Sequence, residues 1–163
     1  MARTEVARPA PTTSRAPAWL VISSLVIAVA GLLVSAYLTY EHYTASTTLA
    51  CSDSGIINCL KVTTSAQSKV FGIPVALLGL LFFVAVVPLC LPAAWNSPNP
   101  LLRRIRMAAV TVGILFVFYL VYAELFIIDG ICLWCTAVHV LTLALFAIVA
   151  FGTATMDPVE AKR

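Results

Sequence analysis

Four stretches of this chain are long, apolar and nearly free of charge, and they leave few folds open. A helix needs about 20 mostly apolar residues to cross a ~30 Å hydrocarbon core. Trp19 to Tyr40 and Ile73 to Ala94 carry no charge, although the second contains Pro74, Pro88 and Pro92. Met107 to Ile128 holds one acid, Glu124; Cys132 to Phe151 holds one imidazole, His139, and two thiols. Backbone groups cannot go unpaired in lipid, and the alternation of barrel strands is absent, so these stretches read as helices. The expected architecture is all-α: an integral membrane four-helix bundle with helices at about 19–40, 73–94, 107–128 and 132–151. A cysteine-bearing outer loop, 42–72, would cap it.

Composition agrees. Of 163 residues, 61% are hydrophobic and 10% charged, against about a quarter charged in soluble domains. That excludes a water-soluble globule and equally a disordered chain. A net charge of +3 is too slight to argue for nucleic acid. The expected layout is a tail at 1–17, one membrane domain at 18–152, and a second tail at 153–163. The first tail, rich in Pro, Ala and Thr, reads as disordered. The first apolar stretch follows Arg3, Arg8 and Arg15 as a secretory signal would. It is too long for one and lacks a small-residue cleavage site, so it reads as a retained helix.

Basic residues in short loops set membrane orientation. Arg3, Arg8, Arg15, Arg103, Arg104, Arg106, Lys162 and Arg163 fall on one side, Lys61 and Lys69 on the other. Both termini are therefore expected in the cytoplasm, with loop 42–72 and the Asp129-Gly130 turn outside. Tyr37, Tyr40 and Tyr43 fit an outer aromatic belt, and Trp19 an inner one. The inner loop Trp95 to Pro100 has turn chemistry.

Four of the five cysteines then lie on the outer, oxidising side. Cys51 and Cys59 are in the long loop, and Cys132-Leu-Trp-Cys135 opens the fourth helix. Cys90, near the inner end of the second helix, reads as a small buried apolar residue. A helix N-terminus favours a thiolate, so a Cys-x-x-Cys pair placed there can exchange electrons. Alone it could equally be a static bridge or half of a zinc site. Two outer pairs suggest a relay by thiol–disulfide exchange. A single zinc held by all four thiols is the competing reading, but seven residues between Cys51 and Cys59 is long for a zinc knuckle. His139 shares a helical face with Cys132 and Cys135. It either donates to a quinone oxygen or bonds a neighbouring helix through Glu124 or a backbone carbonyl. Glu124, one turn from the outer end of its helix, is expected to reach up to the interface rather than to supply a proton.

Taken together, the chain resembles the vitamin K epoxide reductase family in its stand-alone, bacterial-type form. The resemblance rests on Cys51 and Cys59, Ser65 six residues on, the Phe71-Gly72-Ile73-Pro74 lead-in to the second helix, and Cys132-Leu-Trp-Cys135. The stretch Tyr37-Leu-Thr-Tyr-Glu-His42 also looks like the first-helix exit of bacterial members. The likeness covers about Trp19 to Phe151.

It implies a bundle around a quinone pocket that opens outward. Cys132 and Cys135 match the active-site pair, with Cys135 meeting the quinone. Cys51 and Cys59 match a shuttle pair, with Cys51 facing a redox partner and Cys59 handing electrons to Cys132. Ser65 matches a loop hydroxyl near the pocket, and Leu60 to Val70 a short amphipathic cap. His139 falls where vertebrate members carry a pocket tyrosine; Val75 falls near a pocket asparagine, which favours quinone over epoxide reduction. The chain ends without a fused thioredoxin-like domain, so the expected partner is a separate thioredoxin-fold thiol oxidase on the outer side. The co-substrate would be menaquinone, ubiquinone or vitamin K, with no metal, in a bacterial plasma membrane. The expected activity is a thiol:quinone oxidoreductase supporting disulfide formation in exported proteins. The rivals are a small membrane transport or structural protein stapled by disulfides, and an unrelated membrane oxidase whose Cys-x-x-Cys lies in its first outer segment.

Overall fold

The computed structural model describes residues 15–44, 51 and 55–156. The first apolar stretch forms α1 (Ala18–Thr44). Leu20, Ser24, Ala28, Gly31, Ser35 and Leu38 are buried at steps of three and four, one face of a helix. Ile22, Val26 and Leu33 on the other face are exposed and just as apolar. A helix apolar all round is suited to hydrocarbon, not water.

The outer loop closes with α2 (Cys59–Thr64), a 3₁₀ turn at Ala66–Ser68, and a small hairpin of β1 (Lys69–Val70) and β2 (Ile73–Pro74). Asn58 caps α2, its side-chain oxygen accepting from the Lys61 amide at 2.7 Å. The hairpin pairs Lys69 with Pro74 and Val70 with Ile73. Its turn, Phe71-Gly72, has positive φ at both residues, as a type I′ turn demands. Phe71, on the tip, is fully exposed.

The second expected span is interrupted. It forms α3 (Val75–Leu89) and, after a break, α4 (Pro92–Trp95). Pro88 and Pro92 lack the amides a continuous helix would need here, and Pro92 restarts the chain at a first helical position. The carbonyl of Leu89, left over at the break, accepts from Arg106 Nη1 at 3.2 Å. The Arg106 guanidinium lies 3.5 Å from the Trp95 ring centroid, and Trp95 Nε1 donates to Ser24 Oγ at 3.1 Å. Arg106, expected among the loop cations, is thus buried at 2% exposure and seals one end of the molecule.

The third stretch starts earlier than expected, as α5 (Pro100–Ala123). Asn99 accepts from the Leu101 amide and Pro100 takes the first position, a strong start signal that outweighs the arginines after it. α5 continues into a π-helical turn, Glu124–Ile128. The last helix, α6 (Leu133–Met156), runs past the expected end at Phe151, so 153–156 is helical rather than tail. Residues 1–14 and 157–163, and 45–50 and 52–54 of the outer loop, lie outside the described residues.

The chain is therefore all-α, apart from the small hairpin. Among the described residues, three helical segments are long and apolar enough to cross a membrane: α1, α5 with its π turn, and α6; α3 is a shorter apolar helix. α1 packs on α3 and α6, while α5 packs on α6 and α3. One cluster around Phe83, Val86, Val110, Leu145 and Val149 fills one end, and a smaller one around Cys59, Val62, Ile128 and Cys132 fills the other. α1 and α3 approach closely because Gly31 has no side chain; a Cβ there would collide with the fully buried Phe83 ring. Gly31→Leu should cost about 1–3 kcal/mol through overpacking, read as a lower unfolding midpoint in detergent. An unchanged midpoint would mean that the two helices can part freely.

Candidate active site

Between the two clusters lies a cavity of about 720 Å³. α1, α3, α5 and α6 wall it, and α2 with the 3₁₀ turn roofs it. Its lining is mostly apolar, with a few polar groups, the usual make-up of a site for an apolar ligand. Cys135, His139, Ser65 and Val75, read from the sequence as pocket residues, all line it.

Their chemistry differs. Val75 contributes only an apolar wall at the start of α3. Ser65 caps the end of α2, its hydroxyl donating to the Val62 carbonyl at 2.7 Å, so its oxygen can accept but its hydrogen is committed. His139 is buried, and its ring makes no hydrogen bond to Glu124, a backbone carbonyl or any other described residue. Of the two sequence readings of His139, the bonded one is not what the structure contains.

The cysteines are arranged in sequence through space. Cys51 and Cys59 form a disulfide, with Cα atoms 6.1 Å apart. Cys132 and Cys135 are free thiols. Cys51 is half-buried, whereas Cys59 and Cys132 are fully buried in one cluster. Cys135, a turn further along, opens on the cavity. Backbone pairing sets this register. Ile57 and Ile131 form a parallel bridge, the Asn58 amide donates to Ile131 O at 3.0 Å, and the Ile131 amide donates to Ile56 O at 2.8 Å. Lys61 Nζ adds a bond to the Asp129 carbonyl at 2.8 Å. The segments leading into α2 and α6 are thus tied together, which brings Cys59 and Cys132 into one cluster.

Cys132 sits just ahead of α6 and receives the Cys135 amide at 3.3 Å. Hydrogen bonding from the Cys135 side chain, then from the amides of Cys135 and Trp134, holds its thiol below the ordinary range against the opposing effect of burial. A thiolate at this position is the species that enters exchange. Trp134, inside the motif, packs its ring on Tyr37 at 4.9 Å and braces α6 on α1. Tyr37 is accordingly half-buried rather than part of an exposed belt, while Tyr40 and Tyr43 are exposed.

Among the described residues, no group of three or more His, Cys, Asp or Glu is placed to hold a metal ion. A model of the Vitamin K epoxide reductase family matches residues 22–150. The chain belongs to this family. Membership makes it a membrane oxidoreductase working on thiols and disulfides, in a family that uses quinones as substrates, and the Cys51–Cys59 disulfide is present as that chemistry requires. The cavity also has lining residues that the sequence does not point to. Glu41, Ser35 and Thr142 are buried and line the cavity. The signal for Ser35 was available: it lies four residues beyond Gly31 on the buried face of α1.

Proposed function

We propose that this protein is a thiol:quinone oxidoreductase that accepts electrons from a separate thioredoxin-fold thiol oxidase and so supports disulfide formation in exported proteins. The observation that carries the reading is the spatial order Cys51, Cys59, Cys132, Cys135, cavity. A partner thiolate attacks the Cys51–Cys59 disulfide at Cys51, and Cys59 leaves as thiolate. With Cys132–Cys135 oxidised, Cys59 attacks Cys132 and Cys135 leaves as thiolate toward the cavity. The partner's second thiolate then attacks its own mixed disulfide and frees Cys51, and the Cys51 thiolate attacks Cys59 of the Cys59–Cys132 disulfide and frees Cys132; each exchange breaks one S–S bond and forms another, and two electrons move inward. A quinone bound in the cavity takes up two electrons and two protons. His139 supplies a donor toward its oxygen, and Val75 and Ser65 shape the wall. Menaquinone, ubiquinone and vitamin K all have the apolar tail this lining suits.

In the membrane, α1, α3 with α4, α5 and α6 form a four-crossing bundle spanning 18–152, with both termini cytoplasmic and the cysteines outside, in a bacterial plasma membrane. α3 alone covers about 22 Å at 1.5 Å per residue, so the α3–α4 break falls within the thickness to be crossed. With Arg106 buried, Arg3, Arg8, Arg15, Arg103, Arg104, Lys162 and Arg163 on one side against Lys61 and Lys69 on the other keep the charge bias that favours this orientation.

The test is redox trapping: acid quench of cells making the protein, alkylation with a heavy maleimide, with and without a block of the quinone pool. The four outer cysteines should be oxidised when quinone turns over and should accumulate as thiols when it is blocked. Cysteines indifferent to the block would make the bridge structural and sink the enzyme reading.

A further inference from the structure

Glu124 does not reach the surface, as its place near a helix end suggests it should. It is 6% exposed and lines the cavity with Cys135 and His139. It lies seven residues beyond Val117, two turns along the buried stripe of α5 that includes Val110, Ile114 and Val117. The π-helical turn begins at this residue. Its carbonyl accepts the amides of both Asp129 and Gly130, the latter at 3.1 Å, which ties Glu124 to the turn delivering Cys132. Such π turns are frequent at functional sites. The carboxyl makes no hydrogen bond or ion pair among the described residues; its electrostatic partners are Cys132 and Cys135. An ionisable side chain is costly in a spanning segment, and a leucine would fill the same wall without that cost.

Resting on the function proposed above, we propose that Glu124 is a catalytic proton carrier between the Cys132–Cys135 dithiol and a quinone oxygen. When the two S–H bonds break and the S–S bond forms, an electron pair and two protons must reach the quinone. The cavity is roofed and mostly apolar, so the protons need ionisable groups beside the thiols. The Glu124 carboxylate takes one proton from the dithiol, releases it to the quinone oxygen, and ends as it began. His139, which lines the same cavity, serves the other oxygen. The titratable groups beside this path are Cys132, Cys135 and His139 of the last helix and its lead-in; Lys61, outside the cavity lining, is held on the Asp129 carbonyl. Glu41, His42 and Lys69 also line the cavity.

The test compares the full-length protein with Glu124→Gln and Glu124→Asp in detergent, by two readouts. The first, independent of quinone, is ultraviolet thiolate absorbance of dithiothreitol-reduced protein against pH. A carboxylate opposes a neighbouring thiolate, so in Glu124→Gln the Cys132 thiolate should form at lower pH. The second is steady-state reduction of a short-chain quinone by dithiothreitol. With more thiolate present, Glu124→Gln should nonetheless lose about 100-fold in kcat with KM little changed, and Glu124→Asp should recover part of it. An unchanged kcat in Glu124→Gln overturns the proposal; a kcat that rises with the thiolate makes Glu124 an electrostatic brake and overturns it too. Should Glu124→Gln fail to fold, the oxidised wild type is treated with an apolar carbodiimide. Modification at Glu124 that a quinone blocks supports the proposal, and no modification there refutes it. A wild type that reduces no quinone would bring down the underlying function as well, whereas an active Glu124→Gln removes only the proton carrier.

Discussion

Cys51→Ser should stop quinone reduction driven by a thioredoxin-fold donor and leave the dithiothreitol-driven rate largely intact. The half-buried Cys51 is where a protein donor can attack, while Cys59 is fully buried in one cluster with Cys132. A small dithiol can enter the cavity and reduce Cys132–Cys135 directly, because Cys135 opens on it. Cys132→Ser or Cys135→Ser should instead abolish both rates, by ~10³-fold or more, the scale on which losing a covalent nucleophile acts. Cys59→Ser should behave like Cys51→Ser. Quinol formation followed by absorbance with the two donors separates the cases. A protein-driven rate that survives Cys51→Ser would show that the donor meets Cys132–Cys135 without the outer pair.

Filling the cavity should have the next largest effect. Ala76 lies in the first turn of α3 and lines the cavity wall. Ala76→Trp projects an indole into the space a quinone ring must occupy. The expected result is a fall of about 100-fold in kcat/KM for quinone, since displacing a reactant by an ångström or so already costs that much. Single-turnover transfer from a reduced donor into Cys51–Cys59 should be unchanged, because that disulfide belongs to the other cluster. Equal loss in both measurements would point to a misfolded protein, and no loss in either would place quinone reduction outside this cavity.

Much of the candidate site was legible before any coordinates. The Cys-x-x-Cys at a helix start and His139 one and two turns along the same face are short-range patterns that helix period brings together, and the outer pair is a pattern of the loop. Ser65 and Val75 came only through family likeness; both line the cavity, yet the hydroxyl hydrogen of Ser65 is spent on the Val62 carbonyl. That bond depends on where α2 ends, which spacing does not reveal. Arg106 was misread as a loop cation because three arginines near a Pro-Asn turn look like an exposed segment. It is drawn inward because the proline break strands the Leu89 carbonyl and Trp95 offers a ring face. Glu124 was misread for a related reason: distance from a helix end indicates that a carboxylate could reach water, not that its face turns inward.

The apolar helices, the starts of most of them, the two thiol pairs and the family can be read from the residues alone, since each of these rests on local composition, caps and spacing. That Cys59 and Cys132 share one cluster, that Glu124 and His139 share one cavity, and that Arg106 is buried follow from the packing of the helices. Periodicity says which residues lie on one face of a helix; which other face they meet is set by how the helices pack, by the close approach at Gly31, and by the backbone pairing of Ile57 with Ile131 that seats the outer loop.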